Sequence, residues 1–364
     1  MERLTLTFKK YIKQELILAA LIGIGFILIT LALGSYSNLV IPPNTDINAR
    51  YLAEPGTHLD FMSEWDGPHY LEIAQHGYIP NQKLTAFFPL YPLLIRLVLF
   101  VVNSPIISAL IVSWACLIGA IYFYLKILKT LFNSDINNKV MGVLLFIMFP
   151  TGVFLAATYT EALFAFGALA ALYFALKGKY LWSGLFTAVA TATHPTGVFI
   201  LPLIALVLWE KKIKISKITA SVALGCIGIV GYMSYLWYSR GNPLAFVNSQ
   251  EHNHWLSSHY FSTIASSITA IDVILLILVI VSVIYWWKKK LSFAIYSLIF
   301  ALLPFIGGNF AGYSRYVLMA FPLQFMLYSK TKRSNLAYSL VLALFTIGWA
   351  YFVIHYAAGY TGGS

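Results

Sequence analysis

Hydrophobic residues run along this chain in long, nearly uncharged blocks. After a first block over 16–33, apolar stretches centre on 86–102, 105–125, 140–158, 162–176, 182–209, 218–237, 268–287, 291–311, 316–329 and 335–356. Blocks of this kind match the roughly 20 apolar residues that an α-helix needs to cross hydrocarbon. Lipid cannot satisfy an unpaired backbone, so helices are expected throughout. The pattern predicts an all-α integral membrane protein, a polytopic bundle. The 182–209 block is too long for one span and carries His194-Pro195 near its middle, which predicts a hairpin of two helices broken there.

The 86–102 block, "AFFPLYPLLIRLVLFVV", decides the sidedness of everything after it. Pro89, Pro92 and the central Arg96 argue against a lipid-exposed span. With that block lying at the outer surface as an interfacial helix, the loops sort by charge. Of the 24 basic residues, only Arg50, Lys83, Arg96, Arg240 and Arg315 fall outside, and the other 19 face the cytoplasm. Counting 86–102 as a span would reverse that bias. The expectation is about 11 transmembrane helices, with the N-terminus cytoplasmic and the C-terminus outside. Nine of the 13 acids and all eight histidines then share the outer side, although none of them entered the choice.

Composition fits the pattern: 60% of 364 residues are hydrophobic, 10% are charged and the mean hydropathy is +0.78. One transmembrane domain over 1–364 is expected, with 35–104 as a first extracytoplasmic loop carrying interfacial helices. The net charge of +11 comes as short clusters between apolar runs, which fits membrane topology and not a nucleic-acid stripe. Cys116 and Cys226 sit far apart inside apolar blocks and read as small core residues. Arg3, Lys9, Lys10 and Lys13 before the first block resemble a signal peptide, but the block is long for one, and an uncleaved first helix is the preferred reading.

The chemistry concentrates in "SEWDGPHYLEIAQHGY", 63–78, with three acids and two histidines beside the first apolar block. Asp66-Gly67-Pro68 looks like a helix start, with the aspartate as N-cap and proline in the first turn, and Gly77 fits a C-terminal cap. The helix between would carry His69, Ile73 and His76 on one face along the membrane surface. Asp66 reads equally as an ordinary cap or as a general base, and the two roles are compatible. Glu64 is the rival base.

"EWDGPHYLEIAQHGY", followed by "AFFPLYPLLIRL", resembles the first lumenal loop of the PIG-V mannosyltransferases, the family that adds the second mannose in GPI-anchor assembly. Trp65, Asp66, His69, Tyr70, Ala74, His76, Gly77, Tyr78, Phe87, Phe88 and Pro89 match the motif. Weaker echoes follow in "TYTEALFAF" at 158–166, "ATATHPTGVFILP" at 190–202, "NPLAFVNSQ" at 242–250 and "SRYVLMAFP" at 314–322. The resemblance implies a GT-C-type bundle and transfer of a mannosyl residue from a polyprenyl-phosphate donor with inversion, Asp66 acting as base.

The leaving phosphate needs a cation, and Arg315, Arg240 and Lys83 are the outer-side candidates, Arg315 first. The alternative for Arg315 is an interface arginine that snorkels. Trp65, His69 and Tyr70 would line the substrate. Glu161 orients the acceptor, pairs with an arginine, or is a solvated helix end. His194 faces the sugar or simply holds its turn. Gln250, with His254, is a weaker acceptor contact. The spacing of His252, His254 and His259 matches no standard zinc pattern, so neither metal nor cofactor is expected.

The acceptor is open between a glycolipid, a cell-wall polymer and a protein. The very short loops point to a prokaryotic relative working at the outer face of the plasma membrane. A lipid or glycan transporter would instead place ionisable residues along the bundle interior, and a non-catalytic GT-C-like subunit would have no need of an intact Trp65-Asp66 motif.

Overall fold

The computed structural model describes residues 2–42, 44, 58–79, 84–252 and 267–360, and no strand occurs among them. Five helices are long and apolar enough to cross a membrane: α1 (Glu2–Val40), α4 (Pro105–Phe132), α9 (Ile215–Arg240), α11 (Ala270–Trp287) and α15 (Asn335–Ala357). Around them pack α2 (Gly67–His76), α3 (Leu90–Leu99), α5 (Ile136–Ile147), α6 (Glu161–Leu176), α7 (Tyr180–Thr193), α8 (Ile200–Glu210), α10 (Ala245–His252), α12 (Leu291–Gly307), α13 (Tyr313–Val317) and α14 (Phe321–Thr331). Several of the expected spans therefore take a form other than one long helix.

The 140–158 block is the clearest correction. Its helix ends at Ile147, Pro150 follows, and a short 3-10 turn at Gly152–Leu155 leads irregularly into α6. Proline has no N–H to give the helix and clashes with the preceding turn. Every residue over 149–165 is buried, so this irregular backbone is walled by protein. Apolar composition alone cannot distinguish such a buried segment from a lipid-facing span. The 316–329 block is divided in the same way between α13 and α14. By contrast, the break at His194 holds: α7 stops at Thr193, and a 3-10 turn from Pro195 leads into α8.

α3 is a short helix with two unlike faces. Ten residues rise only about 15 Å, half the hydrocarbon thickness. Tyr91, Pro92 and Ile95 are buried, while Leu93 and Leu97 are exposed on the other face. α3 packs on α2 and α4, and α2 also touches α4, so the first loop is seated on the bundle. α1 continues to Val40, a little into the region expected to be loop.

The ion pairs sort as the charge count does. Glu15 of α1 bonds Lys126 of α4 and Lys139 of α5, both at 2.5 Å. Glu210, at the end of α8, bonds Lys290 at 2.7 Å and accepts the Ser292 N–H at the start of α12. Asp66, Glu161 and Arg315 form a separate group. Each contact joins residues assigned to one side of the membrane.

The Glu15 side chain is buried with Lys139, and removing one partner of a buried pair strands the other charge. Glu15→Gln is expected to lower stability by about 3–5 kcal/mol, read as a drop in the unfolding midpoint in detergent micelles. An unchanged midpoint would mean that the pair contributes nothing to the packing of α1 on α4 and α5.

Candidate active site

The first loop reaches its acid through a tight series of turns. A 3-10 turn at Asp60–Met62 is followed by Ser63 and Glu64, and the backbone then enters the left-handed region at Trp65, with φ +57°. A side chain in that region costs about 1–2 kcal/mol, so the surroundings must impose it. Two phenols do so. Tyr159 accepts the Asp66 N–H at 3.0 Å and donates to the Glu64 carbonyl at 3.2 Å. Tyr356 accepts the Glu64 N–H at 3.1 Å and donates towards the Met62 carbonyl at 3.3 Å. Both tyrosines are fully buried.

α2 then begins at Gly67 against the irregular 149–160 segment. A Cβ on Gly67 would stand 2.5 Å from Thr158 Oγ1 and 2.8 Å from Ser63 Oγ, so only glycine allows this approach. The Thr158 N–H also donates to the Met62 carbonyl at 2.9 Å. Gly77 ends the helix with φ +76°, its N–H donating to the Ile73 carbonyl.

The expected cap fails in an informative way. Asp66 stands at the N-terminus of α2, but its side chain makes no capping bond. Its Oδ2 instead takes Arg315 Nη1 at 2.6 Å, across 249 residues of sequence. A charged donor in a buried setting is the stronger partner. Arg315 Nε lies 3.3 Å from Glu161 Oε1, although the Nε–H is not aimed along a hydrogen bond. The snorkelling reading of Arg315 is thereby overturned: its side chain is 11% exposed and faces two carboxylates. The guanidinium also lies between the rings of Phe154, Tyr159 and Tyr316, 5.3–5.7 Å from each centroid. Glu161 is likewise no solvated helix end. It is 4% exposed, and Thr160 Oγ1 donates to its Oε2 at 3.4 Å.

Arg315 is held through its neighbour. Thr151 donates to the Ser314 carbonyl at 3.0 Å, and buried Asp272 stands on α11, which packs against α13. Asp272 is itself fixed in a capping box with Thr269 at the start of α11. His194 lies in the turn between α7 and α8, with Nδ1 bonded to Thr196 Oγ1 at 2.8 Å and its ring edge-on to Tyr316. Burial, with the Arg315 charge adding to it, pushes its imidazole down to about 3. It therefore enters any chemistry as a neutral hydrogen-bonding group.

The structure gathers Asp66, Glu161 and Arg315 in one centre, with Tyr70 and His194 beside it. Tyr70 Oη is 3.5 Å from Thr160 Oγ1, and the His69 ring packs tilted against Phe87 with centroids 4.9 Å apart. Trp65 is half-buried against the core. Glu64 is buried, its main chain held by the two phenols. Arg240 does something else: its Nη2 donates to the carbonyls of Tyr78 and Ile79, each at 2.9 Å, tying the segment just after α2 to α9. Lys83 and His254 lie outside the described residues, and so does the side chain of Gln250 on α10.

Sequence reasoning missed Tyr356, Asp272 and Thr151. Tyr159 and Tyr316 were visible only as aromatics beside Glu161 and Arg315. The Thr269-to-Asp272 spacing was a capping signal that could have been read; nothing local pointed to Tyr356.

A sequence profile of the Mannosyltransferase (PIG-V) family matches residues 27–214, half of the chain. That stretch holds Asp66, Glu161 and His194, and the fold brings Arg315 to it from beyond the match. The chain is also similar to GPI alpha-1,6-mannosyltransferase 2 of Cricetulus griseus, 32% identical over 148 residues, which are 38% of this chain and 29% of that protein. It is 30% identical over 195 residues to GPI alpha-1,6-mannosyltransferase 2 of Rattus norvegicus, covering 47% and 38%. With GPI mannosyltransferase 2 of Drosophila melanogaster it shares 30% over 140 residues, 35% and 31%. These matches span about a third of the relatives' own length.

Tyr159→Phe strands the buried Asp66 N–H and Glu64 carbonyl. It should cost about 1–3 kcal/mol in unfolding free energy, whereas Tyr285→Phe, far from the loop, should stay within about 0.5–1.5 kcal/mol. Equal and small losses for both would show that the phenol does not hold the loop.

Proposed function

The chain belongs to the PIG-V mannosyltransferase family, and from that premise we propose that it transfers a mannosyl residue from a polyprenyl-phosphate donor to an acceptor hydroxyl at the outer face of the membrane, with inversion. The observation that carries this reading is the 2.6 Å contact between Asp66 and Arg315. A base and an anion-binding cation are the two groups the reaction demands side by side.

In this mechanism the acceptor hydroxyl gives its proton to Asp66 as its oxygen bonds to the anomeric carbon. The bond from that carbon to the phosphate oxygen breaks, and its electrons leave with the lipid phosphate. Asp66 Oδ2 carries the Arg315 contact, which leaves Oδ1 for the hydroxyl. The phosphate gains negative charge as it departs, and Arg315 is the cation beside it. Glu161 keeps the guanidinium turned towards the loop, and neutral His194 supplies a hydrogen bond to a sugar hydroxyl. Trp65, His69 and Tyr70 wall the sugar, Lys83 and Gln250 are further contacts to phosphate and acceptor, and Glu64 is the reserve base.

The protein acts as a multi-pass membrane enzyme, which we place in a prokaryotic plasma membrane with its N-terminus cytoplasmic. Its acceptor is a glycolipid, a cell-wall polymer or a protein. A transporter would line its path with ionisable groups at mid-bilayer. Here Asp66 and Glu161 stand at the starts of α2 and α6 and Glu210 ends α8, while the remaining acid paired among the described residues, Glu15, lies within α1 against Lys126 and Lys139.

Purified wild type and Asp66→Asn should be incubated with polyprenyl-phosphate mannose and a membrane-lipid extract. General-base catalysis contributes about 10²–10⁴-fold, so transfer by Asp66→Asn should fall by that factor while its unfolding midpoint shows a folded protein. Retention of most of the activity would sink the base assignment.

A further inference from the structure

A cavity of about 410 Å³ opens beside the first loop, between α2, α3 and α9. Its walls are Ile73 from α2 and Tyr78 just beyond it, Pro92 and Leu93 from α3, and Gly231 and Tyr235 from α9. Among its lining residues Arg96 alone is charged, and Arg96 lies exposed on α3. Leu93 and Tyr235 are 54% and 43% exposed, so the groove opens at the surface of the bundle. An apolar groove open on its flank suits a lipid chain.

Its position on α2 identifies the chain. His69 and Ile73 are spaced by four and so share one helical face, which Gly77 closes at the end of the helix. That face starts one turn from Asp66, and Ile73 lies seven residues, about 10 Å, along the helix from it. The groove therefore begins where a chain would arrive after leaving a phosphate held at Arg315. It is also preformed. The Tyr78 hydroxyl donates to the Phe87 carbonyl at 2.6 Å, Tyr232 donates to the Thr85 carbonyl at 2.7 Å, and Arg240 holds the carbonyls of Tyr78 and Ile79.

We propose that this groove holds the part of the donor's isoprenoid chain nearest the phosphate, so that α2 carries both the base and the lipid seat. The assignment rests on the transfer reading for its choice of ligand. An acyl chain of the acceptor is apolar too, but only the donor's chain is joined to the phosphate that Arg315 faces.

Gly231 offers a direct test, because a Cβ there meets nothing within 4 Å and a larger side chain can grow into the groove without striking protein. The probe is sugar-free polyprenyl phosphate, its retention by purified protein followed by native mass spectrometry. Gly231→Leu should bind it at least ten-fold more weakly, while Val230→Leu, on the exposed face of α9 and outside the groove, should bind as wild type does. Leu93→Trp, which fills the groove from α3, gives a second plug should Gly231→Leu not fold. Undiminished binding by a folded plugged variant would overturn the proposal, as would no binding by wild type. Equal retention of straight-chain phosphatidic acid, lost in the same variants, would overturn the commitment to an isoprenoid. No turnover is needed, so a wild type that binds polyprenyl phosphate in the groove yet transfers no mannose defeats the transfer reading and leaves the groove standing.

Discussion

Taking a guanidinium out of water costs several kcal/mol unless anions meet it, and Arg315 is met by two carboxylates from distant parts of the chain. Asp66 comes from the first loop and Glu161 from the start of α6. The aromatic rings of Phe154, Tyr159 and Tyr316 complete the enclosure. Much of the architecture serves that meeting. The irregular 149–160 segment presents Thr158 and Tyr159 with Glu161 directly after them, α2 starts close enough to touch it, and Thr151 holds the peptide before Arg315. Without the guanidinium, two acids would share a poorly solvated space.

The same interaction explains which parts of the site were legible in the sequence. Asp66 stood out because a polar cluster interrupts apolar blocks, and Pro68 and Gly77 marked the ends of its helix. What the local pattern could not supply was the direction of its side chain. Capping is a short-range preference, and a buried cation from residue 315 outweighs it. Glu161 looked like a helix end because apolar residues follow it; its burial depends on helices that close over it from elsewhere. Tyr356 carries no local signal at all, since a phenol near the end of a long apolar helix reads as an interfacial aromatic.

The fold was legible in the same uneven way. Long apolar helices with exposed faces, such as α1 and α11, follow directly from composition and length. The 140–158 and 316–329 blocks are as apolar but lie inside the bundle, and there neighbouring protein permits a break that lipid would forbid. Pro150 was the available mark. Around Arg96 and its two prolines the 86–102 block forms only the ten-residue α3, and a charge with two missing donors weighs against a long lipid-facing helix whatever lies around it.

α2 has one further consequence. Both of its ends are fixed, the first by the missing side chain of Gly67 against Thr158 and the last by the grip of Arg240 on Tyr78 and Ile79. One added residue inside it would turn everything beyond by about 100° and swing Ile73 away from the lining of the groove. This ten-residue helix therefore acts as a spacer of fixed length and phase. Descendants of this sequence can gain or lose residues on either side of it, but within it they must keep step.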